Sequence, residues 1–175
     1  MGLFRNKDNG DDNPWRYVMR ERLLAIGDDS YIENAAGLRA FWVDGKALRV
    51  RETLIFKDLQ GNEIYKIQER KARMRDTMKI EFANGATAAV VKKALVSPIR
   101  DRFSISVENG PDLEAKGNIL HHEYKIKRDD QVVAEISKKW VRVRDTYTVD
   151  ITPGEDVLFL LAITTALDTL ADPGM

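Results

Sequence analysis

The sequence predicts a mainly β protein, a closed antiparallel barrel of about twelve strands around a buried hydrophobic C-terminal α-helix. Three observations lead there. A basic pentapeptide recurs along the chain, apolar residues alternate on both sides of each copy, and the last long apolar segment carries no charge on any face.

In chain order, MGLFRNKDNGDDNPW comes first. It has no long apolar run, so residues 1–14 are expected to form a flexible polar tail rather than a secretory signal. Met1-Gly2 resembles the start of a myristoylation site, but Asn6 stands where that motif has Ser or Thr. A chain of 175 residues is sized for one core, so residues 15–172 are expected to form a single domain. With no cysteine, disulfides, thiolate metal sites and a Cys nucleophile are excluded, which fits a reducing, cytoplasmic location.

A repeat organises the rest of the chain. Arg73-Met-Arg-Asp-Thr77 returns as Arg142-Val-Arg-Asp-Thr146 and, with one conservative change, as Arg49-Val-Arg-Glu-Thr53. At an offset of 24 (73 minus 49), Phe41, Val43, Leu54 and Phe56 fall over Tyr65, Ile67, Met78 and Ile80. At a further offset of 69 (142 minus 73), Ala134, Ile136, Tyr147 and Val149 take those four places. That offset leaves room for two weaker copies between Gly85 and Asp129, one centred on Arg100-Asp101-Arg102. A first unit turns at Gly27-Asp28-Asp29. Each unit is too short for a helical repeat and has period-2 alternation around its centre, so it reads as two antiparallel strands and a connection. Six such hairpins in a row would expose two edges, and closure removes them.

Closure demands a plug. About eight strands enclose only their own side chains, whereas twelve make a ring roughly 24 Å across. Residues 153–171 supply the plug: Val157 to Leu167 has no charged residue, where a surface helix would show a polar stripe. Thr152-Pro153-Gly154-Glu155 has the pattern of a capping box. The 11 uncharged residues from 157 to 167 fall short of the about 20 needed to span a bilayer.

The segments FWVDGKAL, FKDLQGNEIYKI and SKKWVRVRDTYTVDI, with the hydrophobic helix behind them, resemble the LURP-one-related family. That family shares the Tubby C-terminal-like fold with the phospholipid scramblases. The resemblance spans about Tyr17 to Asp172 and implies the same helix-filled twelve-stranded barrel. The wider group implies two functions, phosphoinositide headgroup binding as in tubby domains and calcium-dependent lipid exchange as in scramblases. The chain departs from the second: it has no 12-residue acidic calcium loop, no Pro-rich N-terminal arm and no cysteine for palmitoylation.

Catalytic motifs are missing. There is no G-x-S-x-G, P-loop or zinc-ligand spacing. The two histidines, His121 and His122, are adjacent, so on a strand they would face opposite sides and not chelate one metal. Glu123 is the nearby acid that would join one of them. No enzyme activity, cofactor or metal is expected.

Charge distribution remains. The chain is neutral, with 28 basic and 28 acidic residues, so neither a nucleic acid nor bulk attraction to anionic membranes is expected from the total. Between Gly37 and Arg144, however, 23 basic residues face 15 acidic ones. In an up-and-down barrel the repeat centres share one end, which would gather Arg49, Arg51, Arg73, Arg75, Arg142 and Arg144 on a rim, with Arg70, Arg100 and Arg102 nearby. Such a rim suits a phospholipid headgroup, a membrane surface or another polyanion. The structural alternative is that Glu52, Asp76 and Asp145 pair with these arginines, whose stems cover apolar wall. A lipid-exchange protein peripheral to the membrane and a protein-interaction scaffold are the other functional readings.

Overall fold

The computed structural model describes residues 13–21, 29–45, 53–70, 77–94, 101–141 and 143–171. Twelve strands close into a barrel: β1 (Arg16–Arg20), β2 (Ser30–Asn34), β3 (Arg39–Asp44), β4 (Thr53–Lys57), β5 (Glu63–Glu69), β6 (Thr77–Phe82), β7 (Thr87–Lys93), β8 (Asp101–Val107), β9 (Leu113–Asn118), β10 (Glu123–Arg128), β11 (Gln131–Ser137) and β12 (Thr146–Ile151). Each pairs antiparallel with its sequence neighbours, and β1 pairs β12 to close the ring. The helix α1 (Val157–Ala171) comes after the last strand.

The repeat positions are the inner face of this barrel. Val43, Leu54, Phe56, Tyr65, Ile67, Met78, Ile80, Ala134, Ile136, Tyr147 and Val149 are all buried, and Phe41 packs against them. They meet across the ladder, Val43 opposite Phe56, Leu54 opposite Ile67 and Ile67 opposite Ile80. Period-2 alternation becomes a lining because each strand turns alternate side chains inward.

Hairpin topology gives the barrel two unlike ends. At one, β2–β3, β4–β5, β6–β7, β8–β9 and β10–β11 are joined by two to five residues. Three of these turns repeat one design at an interval of 24, with Gly37, Gly61 and Gly85 at φ +74°, +87° and +85°. Such angles cost an L side chain its Cβ clearance, and glycine has none to lose. A side-chain oxygen holds each turn: Asn34 Oδ1 accepts the Ala36 and Leu38 amides at 3.0 Å, Asp58 Oδ1 those of Gln60 and Asn62 at 3.0 and 2.8 Å, and Asn84 Oδ1 that of Ala86 at 2.9 Å. A register shift recurs beside each, after Ile32, Phe56 and Ile80. At the opposite end the connections run from four to nine residues.

The helix occupies the interior. Leu160 to Leu167 is buried without interruption, including Thr164 and Thr165, whose hydroxyls donate to the Leu160 and Leu161 carbonyls at 2.9 Å. Those bonds satisfy polar groups that no water reaches. Fifteen residues at about 1.5 Å each make a helix of about 22 Å, the length of a seven-residue strand.

The helix begins at Val157, later than the Pro153 that the capping pattern predicts. Gly154 at φ +91° turns the chain, and the Glu155 amide donates to the Thr152 carbonyl at 3.1 Å. Asp156 is the true cap, its Oδ1 accepting the Phe159 amide at 3.0 Å. Glu155 instead forms a two-pronged ion pair with Arg128 at 2.8 and 2.7 Å, which ties the helix start to β10. A string of rings, Tyr17, Phe41, Phe56, Tyr65 and Phe82, spaces its neighbours at 5.5–6.4 Å and meets the helix at Phe159, 6.2 Å from Tyr65. Burial, with help from Asp156, pushes the Tyr65 phenol up to about 12.

Candidate functional site

The site is built at the long-connection end, where β1, β5, β7 and β11 finish and the helix C-terminus arrives. Of the predicted rim residues, Arg70 comes just after β5 and Arg144 precedes β12, both exposed. Arg49, Arg51, Arg73, Arg75 and Arg142 lie outside the described residues, as do Arg100, Glu52 and Asp76. Arg102 is paired with Glu114, Nε to Oε1 at 2.7 Å, across β8 and β9.

Neither Arg70 nor Arg144 forms an ion pair with a described residue, and the same is true of Arg20, Lys92, Lys93 and Lys139 at this end. Asp145, the acid of its own pentapeptide, does not pair with Arg144; it takes φ +60° in the turn, and its carbonyl accepts the Glu21 amide at 2.8 Å. Several cations elsewhere on the wall have partners, though Lys116 and Lys127 have no ion pair among the described residues, while at this end Lys138 pairs with Glu21. Arg16 bonds Asp150 through Nε and Nη2 at 2.7 Å, Lys57 meets Asp44 at 2.9 Å, and Lys66 and Lys79 converge on Glu81 at 2.9 and 2.7 Å. The last pair of lysines holds the Glu81 carboxyl below the usual carboxylate range, Lys79 contributing most.

Connection charges make the contrast sharper. Counted over the segments that join each odd strand to the next even one, the long-connection end has 13 basic and 6 acidic residues, a surplus of 7 (13 minus 6). The tight turns and residues 152–156 have no basic residue and 7 acidic ones. Of those 13, Arg70, Lys138, Lys139 and Arg144 are among the described residues, where they stand with Glu21, Asp29 and Asp145.

Beneath the basic end lies a buried polar cluster that sequence reasoning missed. Asp168, near the helix end, has a side chain only 5 % exposed, and its Oδ1 is 2.8 Å from His122 Nε2. The Tyr147 hydroxyl donates to the other oxygen, and the His122 ring stacks on Tyr147 at 4.2 Å between centroids. Met19 Sδ is 3.7 Å from the same hydroxyl. Burial pushes the Tyr124 and Tyr147 phenols well above the ordinary tyrosine value, and the Asp168 carboxylate adds to both shifts. A carboxylate this deep, close to the negative end of a helix dipole, needs a donor, which Tyr147 supplies to one oxygen, while Oδ1, facing His122, has no hydrogen-bond partner.

The histidines sit differently from the strand placement expected of them. Both belong to the β9–β10 connection, where His122 takes φ +54° and is buried while His121 is exposed. Their sides differ, as alternation would also give, but the cause is a turn. Glu123 does not join either one: its carboxylate accepts the Ser137 hydroxyl at 3.2 Å and the Lys138 amide at 2.9 Å. The partner is Asp168, remote in sequence. Its signal was a lone carboxylate at the end of a helix expected to be buried on all sides, which requires a partner from the wall. Among the described residues no group of three or more His, Cys, Asp or Glu is placed to hold a metal ion. No described helix is long and apolar enough to cross a membrane.

Trp42 packs on the wall, whereas Trp140, in the β11–β12 connection, is exposed. The Trp42 indole donates to the Asp58 carbonyl at 2.9 Å with Lys57 Nζ 4.6 Å from its ring centroid, and Arg16 lies 5.0 Å from that of Trp140.

Comparison with known proteins gives three findings. A family model described as LURP-one-related matches residues 16–168. An uncharacterized Bacillus subtilis protein, YxjI, is 25% identical over 150 residues, covering 86% of this chain and 90% of its own. The X-ray structure of an Arabidopsis thaliana protein superimposes with a TM-score of 0.66 at 14% identity, over 91% of this chain and 93% of that one. That likeness supports the fold.

Proposed function

The chain belongs to the LURP-one-related family, and we propose that it is a non-enzymatic module that binds a phosphate-bearing anion, such as a phosphoinositide or other phospholipid headgroup, at the basic end of its Tubby-like barrel. The observation that carries this reading is a set of cations with no ion-pair partner among the described residues, Arg20, Arg70, Lys92, Lys93, Lys139 and Arg144, at one end of a neutral chain. Arginine and lysine do not make turns, so their concentration in connections has no conformational reason, and guanidinium forks match phosphate oxygens. The predicted rim residues Arg49, Arg51, Arg73, Arg75 and Arg142 belong by sequence to the same connections.

A binding role is favoured over catalysis because the His122–Asp168–Tyr147 trio is buried and turned upon itself. It is favoured over lipid exchange because α1 is packed within the barrel, so insertion into a bilayer would require the core to open. Co-sedimentation with vesicles with and without phosphoinositide tests the proposal. Binding that needs the anionic lipid and weakens with salt is expected; equal, salt-insensitive binding to neutral vesicles overturns it. A fluorescent-lipid assay should show no transfer with or without calcium, and transfer would revive the exchange reading.

A further inference from the structure

We infer that the anion is held on the outer wall of β7–β10, beside the long-connection end, where Arg102, Lys116 and Lys125 stand abreast on three adjacent strands, and that it carries more than one phosphate. The inference rests on the binding reading above and adds a location and a ligand class.

Strand register makes the row. Lys116 on β9 lies directly opposite Arg102 on β8 and, on its other side, opposite Lys125 on β10. All three are exposed, while the next rung, Phe103, Ala115 and Ile126, faces inward and is buried. Farther along the wall, Lys92, Ser104, Glu114 and Lys127 share the outward face in the same way. Over the outward positions of these four strands, five basic residues stand against two acidic ones, Glu114 and Glu123. Glu123 is engaged by the Ser137 hydroxyl and the Lys138 amide, and Glu114 by Arg102. Lys125 reaches Glu135 on β11 only at 3.4 Å, and Lys92, Lys116 and Lys127 form no ion pair with a described residue. Like charges directly opposite one another on neighbouring strands destabilise a sheet, and barrel closure has no need of them at outward positions. An anion lying on the row turns that repulsion into attraction.

Spacing sets the ligand class. Adjacent strands lie about 4.8 Å apart, so the row is about 10 Å wide. One phosphate, with charge-assisted contacts of about 2.8 Å, reaches two neighbouring cations. Engaging all three, with Lys92 and Lys127 beside them, takes two or more phosphates on one scaffold. An inositol polyphosphate has that form, either free or as the headgroup of a lipid.

Two probes are titrated into the full chain: soluble inositol trisphosphate, and phosphatidylcholine vesicles with phosphatidylinositol bisphosphate. Lys116→Glu with Lys127→Glu should weaken binding on the order of 100-fold, whereas Lys139→Glu with Arg144→Glu, the same change of charge in the β11–β12 connection, should weaken it less than about fivefold. Equal losses, or a larger loss from the connection pair, overturn the wall site and leave headgroup binding standing. If the parent chain binds neither probe, both readings fall. Binding of the trisphosphate without the vesicles identifies a free phosphate compound, and binding of both identifies the lipid headgroup; the wall site holds in either case. Inositol monophosphate should bind at least about tenfold more weakly than the trisphosphate, and equal affinity overturns the multi-phosphate class.

Thermal unfolding separates a binding row from a structural one. Lys116→Glu alone puts a carboxylate between Arg102 and Lys125, so it should raise the midpoint of the free protein while lowering its affinity for the trisphosphate. The trisphosphate in turn should raise the midpoint of the parent chain more than that of the variant. A lower midpoint for free Lys116→Glu would mean that the wall itself needs the lysine, which overturns the inference.

Discussion

At the tight-turn end the strands are joined by two to five residues, whereas at the other end the connections run from four to nine. The acids of the first end have structural duties. Asp58 gathers the Gln60 and Asn62 amides, the Asp112 carboxylate accepts the Val107 amide at 3.0 Å, and Asp156 caps the helix. The Asn62 side chain and these amides hold the Asp58 carboxyl below its usual value. Turn and cap chemistry thus accounts for three of the seven acids counted at this end. No corresponding rule asks for arginine in longer connections, and that difference is what the proposed binding role would explain.

This comparison breaks first at Gly117. On β9, close to the long-connection end, it sits at φ +144° facing Tyr124, and a Cβ there would lie 2.6 Å from the Glu123 carbonyl oxygen and 2.7 Å from Tyr124 Cα. Gly117→Ala should destabilise the fold by about 4 kcal/mol or more in denaturant unfolding, while Gly61→Ala, with open space around it, should lose about 1 kcal/mol from backbone strain alone. Equal effects would mean that the β9–β10 wall is looser than its geometry.

Asp168→Ala removes the acceptor of the buried Tyr147 hydroxyl and the carboxylate beside His122, and should cost about 3 kcal/mol. Its companion Tyr147→Phe, which keeps the ring and loses the hydroxyl, should cost about half of that. Asp156→Ala should lose about 1 kcal/mol in denaturant unfolding, the value of a helix cap.

Glu155→Gln has the smallest expected effect, up to about 1 kcal/mol at neutral pH. Arg128 holds the Glu155 carboxyl below its ordinary value in the folded state, so the folded value is lower than the unfolded one. Stability from the pair is therefore present above the unfolded value and lost as pH falls through the folded one. Thermal unfolding of the variant should decline less on acidification than that of the parent, and parallel decline would mean that the pair has no part in acid lability.

The fold was readable because inward positions repeat with the strands: a period of 24 counted hairpins, and hairpins counted strands. Helix burial was readable from the uncharged run 157–167. The helix start was not, because Thr152-Pro153-Gly154-Glu155 satisfies a capping pattern whose geometry Gly154 declines, and a sequence motif does not carry φ. The His122–Asp168 contact was hidden for another reason. It joins a turn to a helix end through barrel closure, and periodicity reports faces, not partners. Of the predicted rim residues, Arg49, Arg51, Arg73, Arg75 and Arg142 lie outside the described residues, and connections lack the alternation that would assign each side chain a direction.

The ring of strands also sets an order of assembly. Neighbouring strands pair locally, yet Arg16 waits for Asp150, 134 residues away, and the helix that fills the interior comes after the last strand. During synthesis β1 stays an open edge and the lining stays wet until nearly the whole domain has left the ribosome. Closure and filling are then one late, cooperative event, the slow step of folding and the interval in which the chain is most open to a wrong partner.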